Sequence, residues 1–245
     1  MSIWGKILGG TAGFALGGPL GAILGVMAGN IFDRSQKSNF NYRNISSQQK
    51  QNIFALSVII LSAKIAKSDG IVTKEEILAF REKFNIPDNE IANVSKIFNE
   101  AKKTTYGYEK IAQQIGLLFS DNKIILEELL NNLFYIAEAD GKISKSEINF
   151  LKSISFHFQL NEQTFERIYQ SRLNSKDSDP YKVLGVNRED NDEIIRKKWI
   201  DLNKEHHPDN LIAKGLPTEF IEQSNNELSS INTAYDKIKK IRGLN

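Results

Sequence analysis

The chain contains no cysteine, and that absence alone removes disulfide bridges, thiolate nucleophiles and cysteine-ligated zinc. Histidine is nearly as scarce. His157, His206 and His207 are too few for a histidine-rich metal centre, which leaves carboxylate oxygens as the metal ligands the chain could offer. Of the five prolines only Pro87 falls within residues 52–173, so long helical patterns run there without a breaker. Charge of one sign is missing too. With 32 Lys and Arg against 30 Asp and Glu the net charge is +2, without the basic excess that phosphate-dominated binding needs, and no nucleic acid is expected among the partners. No constellation of nucleophile, base and phosphate loop stands out, so the chain is not expected to be an enzyme. What is present, 40% hydrophobic and 25% charged residues over 245 positions, is the composition of ordinary globular protein, long enough for two folded units.

Residues 7–32 carry no charge for 26 positions, which as a helix extends about 39 Å. That exceeds a bilayer core of about 30 Å, and the apolar run is longer than that of a removable signal peptide. Gly9, Gly13, Gly17, Gly21, Gly25 and Gly29 recur every four residues, giving one helix ridge without side chains on which a second backbone could pack closely. Residues 1–33 are therefore expected to form a glycine-rich transmembrane helix, with a homodimer through the ridge as a further expectation. Pro19 in mid-span marks a kink, and a soluble glycine-rich oligomerisation hairpin is the competing reading. Lys6 precedes the run, whereas Arg34, Lys37, Arg43 and Lys50 follow it. By the positive-inside rule the N-terminus lies outside and the rest in the cytoplasm. Residues 34–51 read as a polar linker.

From 52 to 173 the apolar positions keep a helical period, which predicts an all-α bundle. Helix starts are signalled at Thr73, at Pro87-Asp88, at Ser144 with Glu147 as a capping box, and at Asn161-Glu162. A repeat stands out: IAKSDGIVTKEEILAF from Ile65 and IAEADGKISKSEINFL from Ile136, 71 residues apart, share seven of sixteen positions. Two related helical hairpins are expected. The pairs Asp69 and Glu76, and Asp140 and Glu147, match the back half of a calcium-binding EF-hand loop, DG-x5-E. The front half does not match, since Ile65 and Ile136 stand at the first ligand position and Lys67 and Glu138 at the third. Two readings stay open: a turn plus helix cap with no cofactor, or a weak divalent-cation site on these four carboxylates. His157 closes an apolar helix and reads as a helix-terminal residue.

After a breaker at 174–178 comes DPYKVLGV and then NDEIIRKKWIDLNKEHHPDN. The second block predicts a helix capped by Asn191 with Ile195, Trp199 and Leu202 as its buried stripe and Arg196, Lys197, Lys198 and Lys204 on the opposite side. Pro208 forces His207 out of α geometry, which leaves His207, Pro208 and Asp209 at a loop tip. A polar loop, NLIAKGLP, is expected to lead to a last helix capped by Thr218, whose Leu228, Ile231, Tyr235 and Ile238 face the first stripe. A short helix over 181–184 braces the hairpin.

Residues 179–243, with DPYxxLGV, HPD and AYDxIK in order, resemble a J domain. The resemblance implies a DnaK-type chaperone as partner, contacted by His207, Pro208 and Asp209 and steered by Arg196, Lys197, Lys198 and Lys204. Asp201 stands where the family usually has a basic residue, and Ile200 where lysine is frequent. Residues 47–172, with their repeated D-G-x-[IV]-[ST]-x-x-E phrase, resemble the TerB-like domain, which implies a partner-binding role. EHHPDNLIAKGLP and the order of membrane segment, TerB-like bundle (52–173) and J domain (179–245) resemble DjlA-type proteins. The implied function is a co-chaperone that stimulates DnaK-type ATP hydrolysis from the cytoplasmic side of a bacterial inner membrane. No client-holding module is expected after the J domain, so clients are expected to arrive through the middle domain or the membrane location. A membrane-associated TerB-like scaffold or stress sensor, with the J domain as a docking arm, is the alternative.

Overall fold

The computed structural model describes residues 2–7, 45–68, 80–103, 105–138, 141, 143–173 and 178–244. Every regular element among them is helical, in agreement with the all-α expectation. After the short α1 (Ile3–Lys6) the helices are α2 (Ser47–Ser68), α3 (Ile91–Ala101), α4 (Tyr108–Leu118), α5 (Lys123–Ala137), α6 (Lys145–His157) and α7 (Glu162–Arg172). The C-terminal unit holds α8 (Pro180–Leu184), α9 (Asp192–Glu205), α10 (Pro208–Ala213), a 3-10 turn (Thr218–Phe220) and α11 (Ile221–Arg242).

Helix α2 is the spine of the bundle. From Ile53 to Ile65 its apolar side chains are buried on all sides, as an all-round hydrophobic helix requires, and α3, α5 and α6 pack around it. The cap at Ser144 forms as its sequence dictates. Ser144 Oγ accepts from the Glu147 backbone N–H at 3.2 Å, and Glu147 Oε2 accepts from the Ser144 N–H at 2.9 Å. Asn161 caps α7 through the Thr164 N–H. Gly141, at φ +109°, makes the turn of the second hairpin in a conformation side-chain-bearing residues rarely adopt. At Pro87 the helix starts later than expected, because residues 87–90 form a turn and α3 begins at Ile91. His157 is the last residue of α6, as its helix-terminal reading has it.

The C-terminal unit has its own small core. Tyr181, Val183, Leu184, Ile195, Leu202, Ile231, Ala234 and Ile238 cluster there, with Trp199 stacked on Tyr235 at 4.3 Å between ring centroids. Two expectations need correction. The segment NLIAKGLP is not a polar loop, because its first half belongs to the short helix α10, and Leu211 and Leu216 are fully buried. Thr218 opens a 3-10 turn rather than capping the last helix, and α11 begins at Ile221 without a side-chain cap. Both differences have one cause. Leu211, Leu216 and Phe220 insert into the core of the preceding bundle, and the chain must follow that surface.

Residues 2–7 join the same core. Trp4 is fully buried, with its ring 5.6 Å from that of Phe220 and 6.2 Å from that of Phe84, and the Ile3 N–H donates to Glu219 Oε1 at 2.7 Å. This packing sets the N-terminus beside the C-terminal unit, a departure from the expectation that a single span holds it on the opposite face of a membrane. Gly9, Gly13, Gly17, Gly21, Gly25 and Gly29 lie outside the described residues. Among the described residues no helix is long and apolar enough to cross a membrane.

Candidate functional site

The tip between α9 and α10 presents the conspicuous tripeptide. Asn191 caps α9 by accepting from the Ile194 N–H, and Asp192 and Glu193 favour its positive end. His207, at φ −63° and ψ 134°, is held out of the helix by Pro208 as expected. Its Nδ1 accepts from the Asp209 N–H at 3.2 Å, so the histidine caps α10 while its ring stays 56% exposed. Asp209 is exposed as well and Pro208 half-buried.

Arg196, Lys197 and Lys204 are exposed and Lys198 is half-buried on the flank. None of the four makes an ion pair with a described residue. Their charge is free for a partner. Helical spacing aligns Arg196, Ile200 and Lys204 on one face, a line of about 12 Å from first to third. Ile200 is 46% exposed at its centre. Asp201 is exposed among the same side chains and lowers the positive field there.

One residue before the tripeptide the environment inverts. His206 is 1% exposed, and its Nδ1 lies 2.8 Å from Oε1 of Glu128 on α5. A carboxylate can only accept, so Nδ1 carries the proton of this bond. The other Glu128 oxygen accepts from Ser224 Oγ of α11 at 2.7 Å. Beside it, Arg167 of α7 bridges Glu227 of α11 at 2.5 Å and Glu127 of α5 at 2.6 Å. Ser171 Oγ donates to the second Glu227 oxygen at 2.8 Å. Burial disfavours charge on Glu128, but the contacts with His206, Ser224 and Arg167 outweigh it and hold its carboxyl below the usual range. Burial likewise opposes the Arg167 charge, and Glu127 and Glu227 prevail in stabilising the cation.

Outside this polar centre, Asn122 Nδ2 donates to the Lys214 carbonyl, Gln223 Nε2 to the Lys83 carbonyl and Gln163 Nε2 to the Gly185 carbonyl. The C-terminal hairpin is therefore docked on the bundle at several points.

Sequence reasoning missed this junction. A signal existed, since His206 continues the stripe of Ile195, Trp199 and Leu202 at helical spacing. Glu128 also lies between Leu126 and Leu129-Leu130 on α5, all of them buried. Of the four carboxylates considered for a cation, Asp69, Glu76 and Asp140 lie outside the described residues, and Glu147 is nearly buried in the Ser144 cap. Among the described residues no group of three or more His, Asp and Glu side chains is arranged to hold a metal.

Comparison with known proteins agrees with this architecture. Residues 55–170 match the family described as tellurite resistance protein TerB, and residues 1–47 match that described as the co-chaperone DjlA transmembrane domain. Across 98% of both chains this one is 28% identical to the co-chaperone protein DjlA of Coxiella burnetii. It is 28% identical to that of Photobacterium profundum over 98% of this chain and 99% of the relative. With the DjlA of Shewanella oneidensis it shares 26% identity over the full length of both. The chain is thus similar over its whole length to proteins named DjlA, with a TerB-like bundle within it. No solved structure matches it.

Proposed function

We propose that this protein is a membrane-anchored co-chaperone that stimulates ATP hydrolysis by a DnaK-type chaperone. The observation that carries the reading is the pairing of an exposed His207 and Asp209 with a helix whose basic residues have no ionic partner among the described residues. His207 and Asp209 are exposed at the tip, which leaves both side chains open to an external contact. The relatives' name, co-chaperone, supports the class. The protein supplies a contact, and the hydrolysed nucleotide belongs to the partner.

Anchoring rests on the match of residues 1–47 to a transmembrane domain and on the uncharged run at 7–32. The cations Arg34, Lys37, Arg43 and Lys50 favour a cytoplasmic C-terminal part, where DnaK-type chaperones would be met. The glycine ridge belongs to the same reading as a surface for pairing two copies in the bilayer. A single span with the N-terminus outside and the burial of Trp4 against Phe220 exclude one another. Because the chain has no cysteine, Ser2→Cys distinguishes them by labelling with an impermeant maleimide from either side of membrane vesicles.

The function is tested by single-turnover ATPase of DnaK with the full chain in lipid nanodiscs. Acceleration by the parent and none by His207→Gln is expected. No acceleration by the parent overturns the activity, and equal acceleration by the variant overturns the assignment to the tripeptide.

A further inference from the structure

The His-Pro-Asp tip is gripped by the TerB-like bundle on both sides. On its N-terminal side His206 is buried against Glu128 of α5. On its C-terminal side Leu211, Leu216 and Phe220 belong to the bundle's core and contribute nothing to the small cluster of the C-terminal unit. That cluster holds α8, α9 and α11 together but includes no residue from 203–230. The buried apolar residues that follow the tripeptide are thus shared with the bundle's core, even where α10 lies against α9 and α11.

We propose that the TerB-like bundle is the platform that orients the chaperone-contacting tip, and that Glu128, acting through His206, is its positioning residue. The inference rests on the reading of the tip as a DnaK contact. Glu128 is suited to the task because each oxygen holds a different part of the C-terminal unit: Oε1 takes the end of α9 at His206, and Oε2 takes α11 at Ser224. Rotation of the hairpin about the bundle would break both bonds together. It would also strip Glu227 from Arg167, stranding charges in a dry site. The orientation of the basic face relative to the anchored bundle is thereby fixed, and a partner meets it already in place.

Glu128 touches no partner, so its effect must fall on the fraction of chains holding the tip in the competent orientation. The apparent affinity then falls in proportion to that fraction while the maximal rate is unchanged. The experiment compares the full chain with Glu128→Ala, Glu128→Gln and Ser224→Ala in nanodiscs, using DnaK single-turnover ATPase over a range of co-chaperone concentrations. Spin labels at Gln113→Cys on α4 and Glu193→Cys on α9, both exposed, report the distance between bundle and hairpin in the same chains. The expected result for Glu128→Ala is a broadened distance distribution and a half-maximal concentration raised about fivefold, with the maximal rate kept. Glu128→Gln, whose one amide oxygen can accept from His206 while its Nε2 donates to Ser224 Oγ, restores most of the parent behaviour, and Ser224→Ala lies between.

A broad distribution in the parent overturns the proposal, as does a Glu128→Ala variant that matches the parent in both readouts. A loss of maximal rate equal in Glu128→Ala and Glu128→Gln, with a lowered melting temperature in both, also overturns it in favour of a purely structural carboxylate. A narrow parent distribution that Glu128→Ala broadens, in a parent that never accelerates DnaK, overturns the chaperone reading and leaves the docking supported.

Discussion

His206 and His207 are neighbours in the chain and opposites in the structure. The first is 1% exposed and bonded to a buried carboxylate, whereas the second is 56% exposed and caps a short helix with its backbone turned outward by a proline. The same contrast extends over the two sides of the hairpin. Toward the bundle, Arg167 is paired with Glu227 and Glu127, and Glu128 accepts from His206 and Ser224. Toward solvent, Arg196, Lys197 and Lys204 have no partner among the described residues. Charge serves docking on one side, where removal of a partner is severe, and encounter on the other, where it is mild.

The largest expected effect tests the docked side. Arg167→Ala leaves Glu227 and Glu127 without their cation and should cost about 3–5 kcal/mol in urea denaturation of the full chain. If Arg196→Ala costs as much, the contrast between the two sides fails.

Acid should act on the same side. A carboxyl whose pKa is lower folded than unfolded stabilises the fold above its unfolded value and loses that contribution as pH falls through the folded one. Glu128→Gln is expected to be less stable than the parent by about 1.5–3 kcal/mol at pH 7, the range for hydrogen bonds to charged groups. The gap should narrow in denaturation midpoints as pH falls below the ordinary carboxylate range. Parallel pH profiles would remove Glu128 from the account.

Smaller in energy and opposite in kind is His207→Gln. DnaK stimulation should drop at least about tenfold, near 1.4 kcal/mol in rate terms. Stability should stay within about 0.5 kcal/mol, as for an exposed side chain. Smallest is Arg196→Ala, expected to raise the half-maximal concentration about threefold at low salt and hardly at all at high salt, because exposed charges are screened. A salt-independent loss would mean that Arg196 is desolvated in the complex.

Much of this was legible before any coordinates. Helical periods and caps at Ser144, Asn161 and Asn191 were readable because a cap depends on residues three apart. The exposed tripeptide was readable because Pro208 acts on its immediate predecessor. The segment NLIAKGLP misled because its apolar residues, judged locally, make no helical stripe. Leu211 and Leu216 have their partners on a bundle far away in sequence.

The sequence by itself determined the helical character of the chain, the caps at Ser144, Asn161 and Asn191 and which tripeptide protrudes, since backbone sterics and capping bonds act within a turn or two. Only the tertiary structure decided that His206 meets Glu128, 78 residues away, and that Arg167 meets Glu227, 60 residues away. Pattern alone does not reveal such pairs, because a charged residue reads as surface until a partner and a dry site are supplied together.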